Sequence, residues 1–317
     1  MANAKSFSLD KIESSPITLF RDVVRDQLGH PLPEMVWAHY EERARDRAAA
    51  RERTRRAVTT VAEWEEERDR FRSDYQQALG PAPPMHVEVV EKGTVETDEL
   101  VVVKLLFTSF EDNWIPANLY RPRDSQGPLP AVINACGHST AGKGGYSARG
   151  VMLARNGYAA FTFDLPGQGE RRLPKEEARR YPATTQHNIL GCKLPMAGGN
   201  LGRIFVQDTR AAVSVLMQRD EIDSKRIGIT GSSGGGWLSV HAAAVDERIK
   251  VVVPAASVRS MREKVDAADA EQAFFDLQRR GLDFPDLLGL LICPRPVFIV
   301  ANSDDIWPVS TTEYARD

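Results

Sequence analysis

Only three cysteines, Cys136, Cys192 and Cys293, occur in 317 residues, an odd number without the paired spacing of a thiolate metal site. They argue against a disulfide framework and read as buried, reduced thiols. No run is long and apolar enough to span a bilayer, and Met1 to Ser8 carry no apolar signal core, so a cytoplasmic protein is expected. An excess of charge of one sign is missing too. With 41 Lys and Arg against 44 Asp and Glu, the net charge of -3 gives no reason to expect nucleic acid or an anionic membrane as partner. There is no internal repeat, and no histidine follows His241. What is present is 42% hydrophobic residues in a chain whose length suits one large α/β domain with an appendage.

Two compositional parts follow one another. From Pro33 to Gly80 the chain is rich in Glu, Arg and Ala, the pattern of exposed helices, and Thr60-Val-Ala-Glu63 has capping-box spacing for a helix that Gly80-Pro81 stops. Residues 1–84 are therefore expected to form an N-terminal helical appendage. The arginines from Arg43 to Arg56 are interspersed with acids and read as a solvated helix or a subunit contact, which allows a homo-oligomer. Residues 85–317 read as the α/β domain. Strands are expected at Met85 to Glu91, Leu100 to Thr108 and Ile115 to Tyr120, with Lys92 to Asp98 as the first connection. Beyond Pro130, apolar strands at Ala131 to Cys136, Ala159 to Phe163, Ile227 to Thr230, Val251 to Val253 and Pro296 to Ala301 alternate with helical segments near 147–155 and 204–218. That alternation implies a mostly parallel sheet flanked by helices, with ligands beyond the carboxyl ends of its strands. The long connections 166–201 and 258–291 are expected to form a lid or cap.

The chemistry is concentrated in Gly231-Ser-Ser-Gly-Gly235, between an apolar strand and a helical segment. In the pattern G-x-S-x-G the serine sits on a sharp strand-to-helix turn, and the flanking glycines let strand and helix approach. Only Ser233 satisfies that frame, because Thr230 stands where a frame on Ser232 would need glycine. An acyl-transfer serine also needs an imidazole base, a carboxylate to orient it and N–H donors for the oxyanion. Asp304, just past the strand ending at Ala301, is the candidate acid, with Asp305 as its rival. The backbone N–H groups of Gly234 and His138 are the candidate oxyanion donors. The imidazole of His138 precedes the serine and lies on the wrong loop for a base, and His241, eight residues along the elbow helix, reads as a packed or surface residue.

Gly137-His-Ser-Thr-Ala-Gly-Lys-Gly144 nearly matches the phosphate-cradling G-x-x-x-x-G-K-[ST], but Gly144 lacks the hydroxyl that holds Mg²⁺. The segment reads instead as a flexible loop bordering the site.

Pro130 to His138, Phe163-Asp-Leu-Pro-Gly-Gln-Gly-Glu-Arg171, Asp223 to Gly236 and Asp246 to Pro254 together resemble the α/β-hydrolase superfamily, in its acetyl xylan esterase-like and dienelactone hydrolase-like branch. The resemblance covers about residues 85 to 310. It implies an α/β-hydrolase fold and a serine esterase for small acyl esters, including acetyl groups on sugars, without cofactor or metal. It also implies Ser233 as nucleophile, Gly234 and His138 as oxyanion donors and Asp304 as triad acid, with Cys136 where relatives carry a histidine. Asp164, Gln168 and Arg171 match a recurrent segment and are expected to be structural or to anchor the lid. The family's catalytic histidine follows the acid after a further strand. Because Ser310 to Asp317 reads as a helix just starting, a C-terminally incomplete esterase is expected. A prolyl-oligopeptidase-like peptidase and a noncatalytic hydrolase-fold binding protein are the alternatives.

Overall fold

The computed structural model of the chain describes residues 32–174, 180–260 and 283–304, with 310, 313 and 315; for 32–38 it describes the backbone alone. Helix α1, Leu32–Ala57, is followed by α2, Val61–Leu79. The capping box at the head of α2 is formed: Glu63 N donates to Thr60 Oγ1 at 3.3 Å, and Thr60 N donates to Glu63 Oε2 at 3.0 Å. Gly80 ends the helix with φ at 72°, a conformation that favours glycine. Helix α2 is not all surface. Phe71, Tyr75 and Leu79 are buried in the same hydrophobic cluster as the sheet.

Helix α1 departs from the solvated-helix expectation at two arginines. Arg51 Nε donates to Asp286 Oδ1 at 2.9 Å and Arg55 Nη1 to Asp286 Oδ2 at 3.2 Å, and Arg51 also pairs with Glu67 of α2. The Asp286 side chain is fully buried, so the two guanidinium groups supply the compensation that a buried carboxylate requires. A partner 235 positions away leaves no local signal in an arginine-rich run.

Seven strands form one sheet: β1 Val89–Glu96, β2 Leu100–Thr108, β3 Trp114–Pro122, β4 Leu129–Ala135, β5 Ala159–Phe163, β6 Ile222–Ser232 and β7 Ile249–Ala255. Their order is β1, β2, β3, β5, β4, β6, β7. Pairing is antiparallel from β1 to β5 and parallel from β5 through β4 and β6 to β7, so the parallel half carries the strand ends that matter for a site. Segment 297–300 extends that half through parallel bridges of Val297 with Val252 and Val300 with Ala255. The first strand lies later than its apolar residues suggest. Lys92 to Glu96 belong to β1, because a register shift at Gly93 absorbs the extra residue, and the turn to β2 shortens to 97–99.

Helices cover both faces. Helix α3, Ser147–Arg155, packs with Leu100, Tyr120 and Ala160 on one face. Helices α5, Leu201–Met217, and α6, Gly234–Val245, bury Phe205, Leu216, Trp237 and Leu238 with α2 on the other. The alternation Ala159, Ala160, Phe161 sends successive residues of β5 to opposite clusters, which is why this strand reads as an unbroken apolar run. Between α3 and α5 lies α4, Ala183–Lys193. Of the two connections expected to form a lid, 175–179 and 261–282 lie outside the described residues, as does 1–31.

Because Phe71 is 1% exposed within the common cluster, Phe71→Ala should cost about 3–5 kcal/mol in urea or guanidinium unfolding, in a single transition shared with the sheet. A small effect confined to a separate early transition would mean that α2 unfolds apart from the sheet.

Candidate active site

Strand β6 ends at Ser232 and α6 begins at Gly234, so the whole change of direction falls on Ser233. Its φ of 55° and ψ of -122° are strained for a residue with a Cβ. Two hydrogen bonds and three close backbone approaches impose that conformation. Ser233 N donates to Ala255 O of β7 at 2.9 Å, and Trp237 N donates to Ser233 O at 3.0 Å as the first helical bond. A Cβ at Gly231 would overlap the Gly235 carbonyl, one at Gly235 would overlap the Ala135 carbonyl, and one at Gly236 would lie 2.6 Å from Ala255 O. The glycines are thus required by backbone approach. Ser233 stays exposed while Gly234 and Gly235 are buried beneath it.

The loop after β4 abuts this turn. A Cβ at Gly137 would overlap the Ser232 carbonyl and lie 2.6 Å from the Tyr146 hydroxyl. Cys136 is buried, donates to Phe163 O at 3.4 Å, and burial followed by the nearby Asp164 charge pushes its thiol well above the usual range. It is packing, not a nucleophile.

Gln168 is the residue that sequence reasoning undervalued. Fully buried, it donates from Nε2 to Gly137 O at 2.7 Å and to Ser139 O at 2.9 Å, the carbonyls on either side of His138. Gly137 C=O and His138 N–H belong to one planar peptide unit and point in opposite directions, so holding the carbonyl aims the N–H. The clue in the sequence was its place in Pro166-Gly-Gln-Gly-Glu-Arg171, directly after a strand.

Lys143 belongs to the same scaffold, which corrects its reading as part of a flexible loop. Its backbone N donates to Asp164 Oδ1 at 2.6 Å, and its Nζ pairs with Asp164 Oδ2 at 2.8 Å and with Glu170. Burial acts to lower the Lys143 pKa, but hydrogen bonds to Asp164 and Glu170 outweigh it and hold the ammonium form. Arg171 donates to Asp164 O at 3.0 Å, Asp208 Oδ2 at 2.7 Å and Asn113 Oδ1 at 2.8 Å.

Asp304 lies in an exposed turn four residues after Val300, whose bridge partner Ala255 accepts the Ser233 N–H. Two strand spacings of about 4.8 Å separate β6 from that segment. The fold therefore sets the turn from Ser232 to Gly235 against the backbone of residues 135–137 and places Asp304 beyond the end of the segment that bridges to β7; Asp305 lies outside the described residues. His241 is a packed histidine: Nδ1 is 2.6 Å from Tyr75 Oη, and Trp237 stacks at 3.9 Å. His187, unweighed in the sequence, is buried in α4 with its ring 5.1 Å from His138 and 5.0 Å from Phe205. Among the described residues no group of three or more His, Cys, Asp or Glu could hold a metal ion, and no helix could cross a membrane.

A sheet of this order, with a strained serine between β6 of its parallel half and the helix that follows, defines an α/β-hydrolase fold. The model of the acetyl xylan esterase (AXE1) family matches residues 63–280, more than half of the chain, and the chain belongs to that family. Among curated proteins, YtaP of Bacillus subtilis is 27% identical over 195 residues, spanning 55% of this chain and 59% of that protein. The 20-hydroxy-prefusarin hydrolase FUS2 of Gibberella moniliformis is 30% identical over 175 residues, spanning 53% of this chain and 36% of its own length. The chain thus spans less than two thirds of the length of each of these relatives. A glucuronoyl esterase from Solibacter usitatus has the same fold, with a TM-score of 0.61 at 13% identity over 81% of this chain and 79% of its own.

If Ser233 is strained as its φ indicates, Ser233→Gly should be about 1 kcal/mol more stable than Ser233→Ala, because only glycine relieves the conformation. Equal denaturant midpoints for the two variants would remove the strain argument.

Proposed function

We propose that the chain is a serine carboxylic ester hydrolase for small acyl esters, acetyl groups on carbohydrates among them. The observation that carries this reading is the exposed, strained Ser233 between β6 and α6, read as a nucleophile elbow. Its Oγ attacks the ester carbonyl while an imidazole base takes its proton and Asp304 orients that base. The backbone N–H of Gly234 stands in the first turn of α6, where N–H groups have no partner within the helix and the helix dipole favours an anion. With the His138 N–H it receives the tetrahedral oxyanion. The alcohol leaves, and water releases the acid from Ser233. Acyl transfer is supported over phosphate chemistry by Lys143, whose ammonium is committed to Asp164 and Glu170 rather than offered to a phosphate.

Gln168 is a positioning residue in this reading. Losing one oxyanion donor typically costs about 2.7–4 kcal/mol of transition-state stabilisation, and the His138 donor is only as good as the peptide plane that carries it.

The test uses the full-length gene product. It should hydrolyse p-nitrophenyl acetate faster than long-chain esters, and a fluorophosphonate should label it in a way that Ser233→Ala abolishes and Ser232→Ala retains. Asp304→Asn should lower turnover by about 10⁴, with Asp305→Asn costing far less. Preference for a peptide amide, or labelling that survives Ser233→Ala, would sink the proposal.

For the donor, Gln168→Leu should lower kcat by roughly 10² with KM little changed, whereas His138→Ala, which keeps the backbone N–H, should retain most activity. The reverse ranking would put the function of that loop in the imidazole.

A further inference from the structure

A concavity opens at the end of the sheet that carries Ser233, and none of its lining residues belongs to the site around that serine. Its volume is about 670 Å³, within the range of roughly 300–1,000 Å³ typical of small-molecule sites. It lies where the segment before β1 meets the β2–β3 hairpin. Trp114 and Phe110 supply aromatic surface, and His86, Glu88, Glu111 and Asp112 supply polar groups. We infer that this groove is a binding subsite for a neutral sugar ring on the alcohol side of the ester, a reading that rests on the esterase function proposed above.

The chemistry of the lining selects the ligand class. Trp114 is 39% exposed, so a large part of its ring is open to the apolar C–H face of a pyranose. Three carboxylates accept hydrogen bonds from hydroxyl groups, and the His86 ring, 2.7 Å from Glu88 Oε1, holds one of them in place. No lysine or arginine is among the described residues that line the groove. An anionic ligand, such as a phosphate or a uronate, would meet repulsion with nothing to offset it.

Two further observations make the groove a built feature. Its floor is pinned by the buried Thr108, whose Oγ1 donates to His86 O at 2.8 Å and accepts from Glu88 N at 2.9 Å. Its far wall is tied to the catalytic loops. Asn113, next to Trp114, donates to Asp208 Oδ1 at 3.0 Å and accepts from Arg171 Nη2 at 2.8 Å. Arg171 belongs to the turn whose Gln168 holds the carbonyls of Gly137 and Ser139. The hairpin that carries Trp114 and the loop that carries the His138 N–H are therefore fastened to a single turn.

The position suits a chain substrate. Strand β3 is three places from β6, about 14 Å at about 4.8 Å per strand, and the register puts Trp114 beyond the Ala117–Phe163 pair, level with the end of β6. A saccharide of a few units could carry its ester at Ser233 while a more distant ring rests on Trp114.

The experiment is a binding measurement that needs no turnover. Titrating xylotetraose into the Ser233→Ala protein, followed by calorimetry and tryptophan fluorescence, should give saturable binding that is insensitive to added salt. Trp114→Ala should weaken it about tenfold or more. Glu111→Gln, on the exposed hairpin, provides a second variant that should also weaken binding, with circular dichroism checking the fold of both. Absence of saturable binding, or binding by both variants as tight as that of the Ser233→Ala parent, would overturn the inference. Tetramethylammonium binding that salt suppresses and Trp114→Ala removes, without sugar binding, would also overturn it and assign the groove to organic cations. Failure of the esterase reading would appear elsewhere, as absent p-nitrophenyl acetate turnover by the unaltered protein.

Discussion

The buried carboxylate of Asp164, at the carboxyl end of β5, is the constraint from which the arrangement of the site follows. A charge taken wholly out of water costs several kcal/mol unless donors surround it. Here the donors are the Lys143 backbone N–H, the Lys143 ammonium and the Glu170 N–H, the last at 3.0 Å. To bring them in, the chain must approach so closely that a Cβ at Gly142 or Gly169 would collide with the carboxylate itself. Both glycines have positive φ, and both stand at the bends where loops 137–146 and 164–171 wrap the acid. The gain is position more than stability, because a buried ion pair is a weak stabiliser compared with apolar packing. With the two loops fixed on Asp164, Gln168 reaches the carbonyls on either side of His138.

Ser233 illustrates the same economy in the backbone. Its conformation would relax if the neighbouring strands allowed it, but the Ala255 carbonyl holds its N–H, and glycines at 231 and 235 let the helix press against β4 and β6. The strain is maintained by packing that extends across three strands. Such a site cannot tolerate a methyl group at its glycines, yet the serine side chain remains outside the packing and open to solvent.

The sharp strand-to-helix turn at Ser233 was legible because its signal is local and physical: a strand period, glycines two positions either side of a serine, then a helix. The capping box of α2 was legible for the same reason, and it fixed that helix to the residue. Strand β1 was misplaced because its exposed residues do not alternate and a bulge at Gly93 hides the continuation. Arg51 and Arg55 looked solvated because their partner, Asp286, comes from the far end of the chain. Gln168 was visible as part of a segment but not as a clamp, since its role lies in which carbonyls it reaches. Long-range polar partners are the part of a fold that periodicity cannot report.

The helices before residue 80 reach the site through packing. Tyr75 of α2 lies 2.6 Å from His241 of α6, and burial pushes the Tyr75 phenol far above its usual range, so its hydroxyl keeps its proton. The neutral phenol and the His241 ring nitrogen share a buried hydrogen bond that joins α2 to α6. His241 also packs against Trp237, one turn after Ser233, so the bond from Tyr75 of α2 bears on the first turns of α6. In the proposed mechanism, rotation of that helix would move the Gly234 N–H away from the oxyanion. In the serine hydrolase reading the N-terminal helix is therefore a brace for the elbow. That role accounts for a buried tyrosine and a buried histidine, each costly to place alone, occurring as a pair.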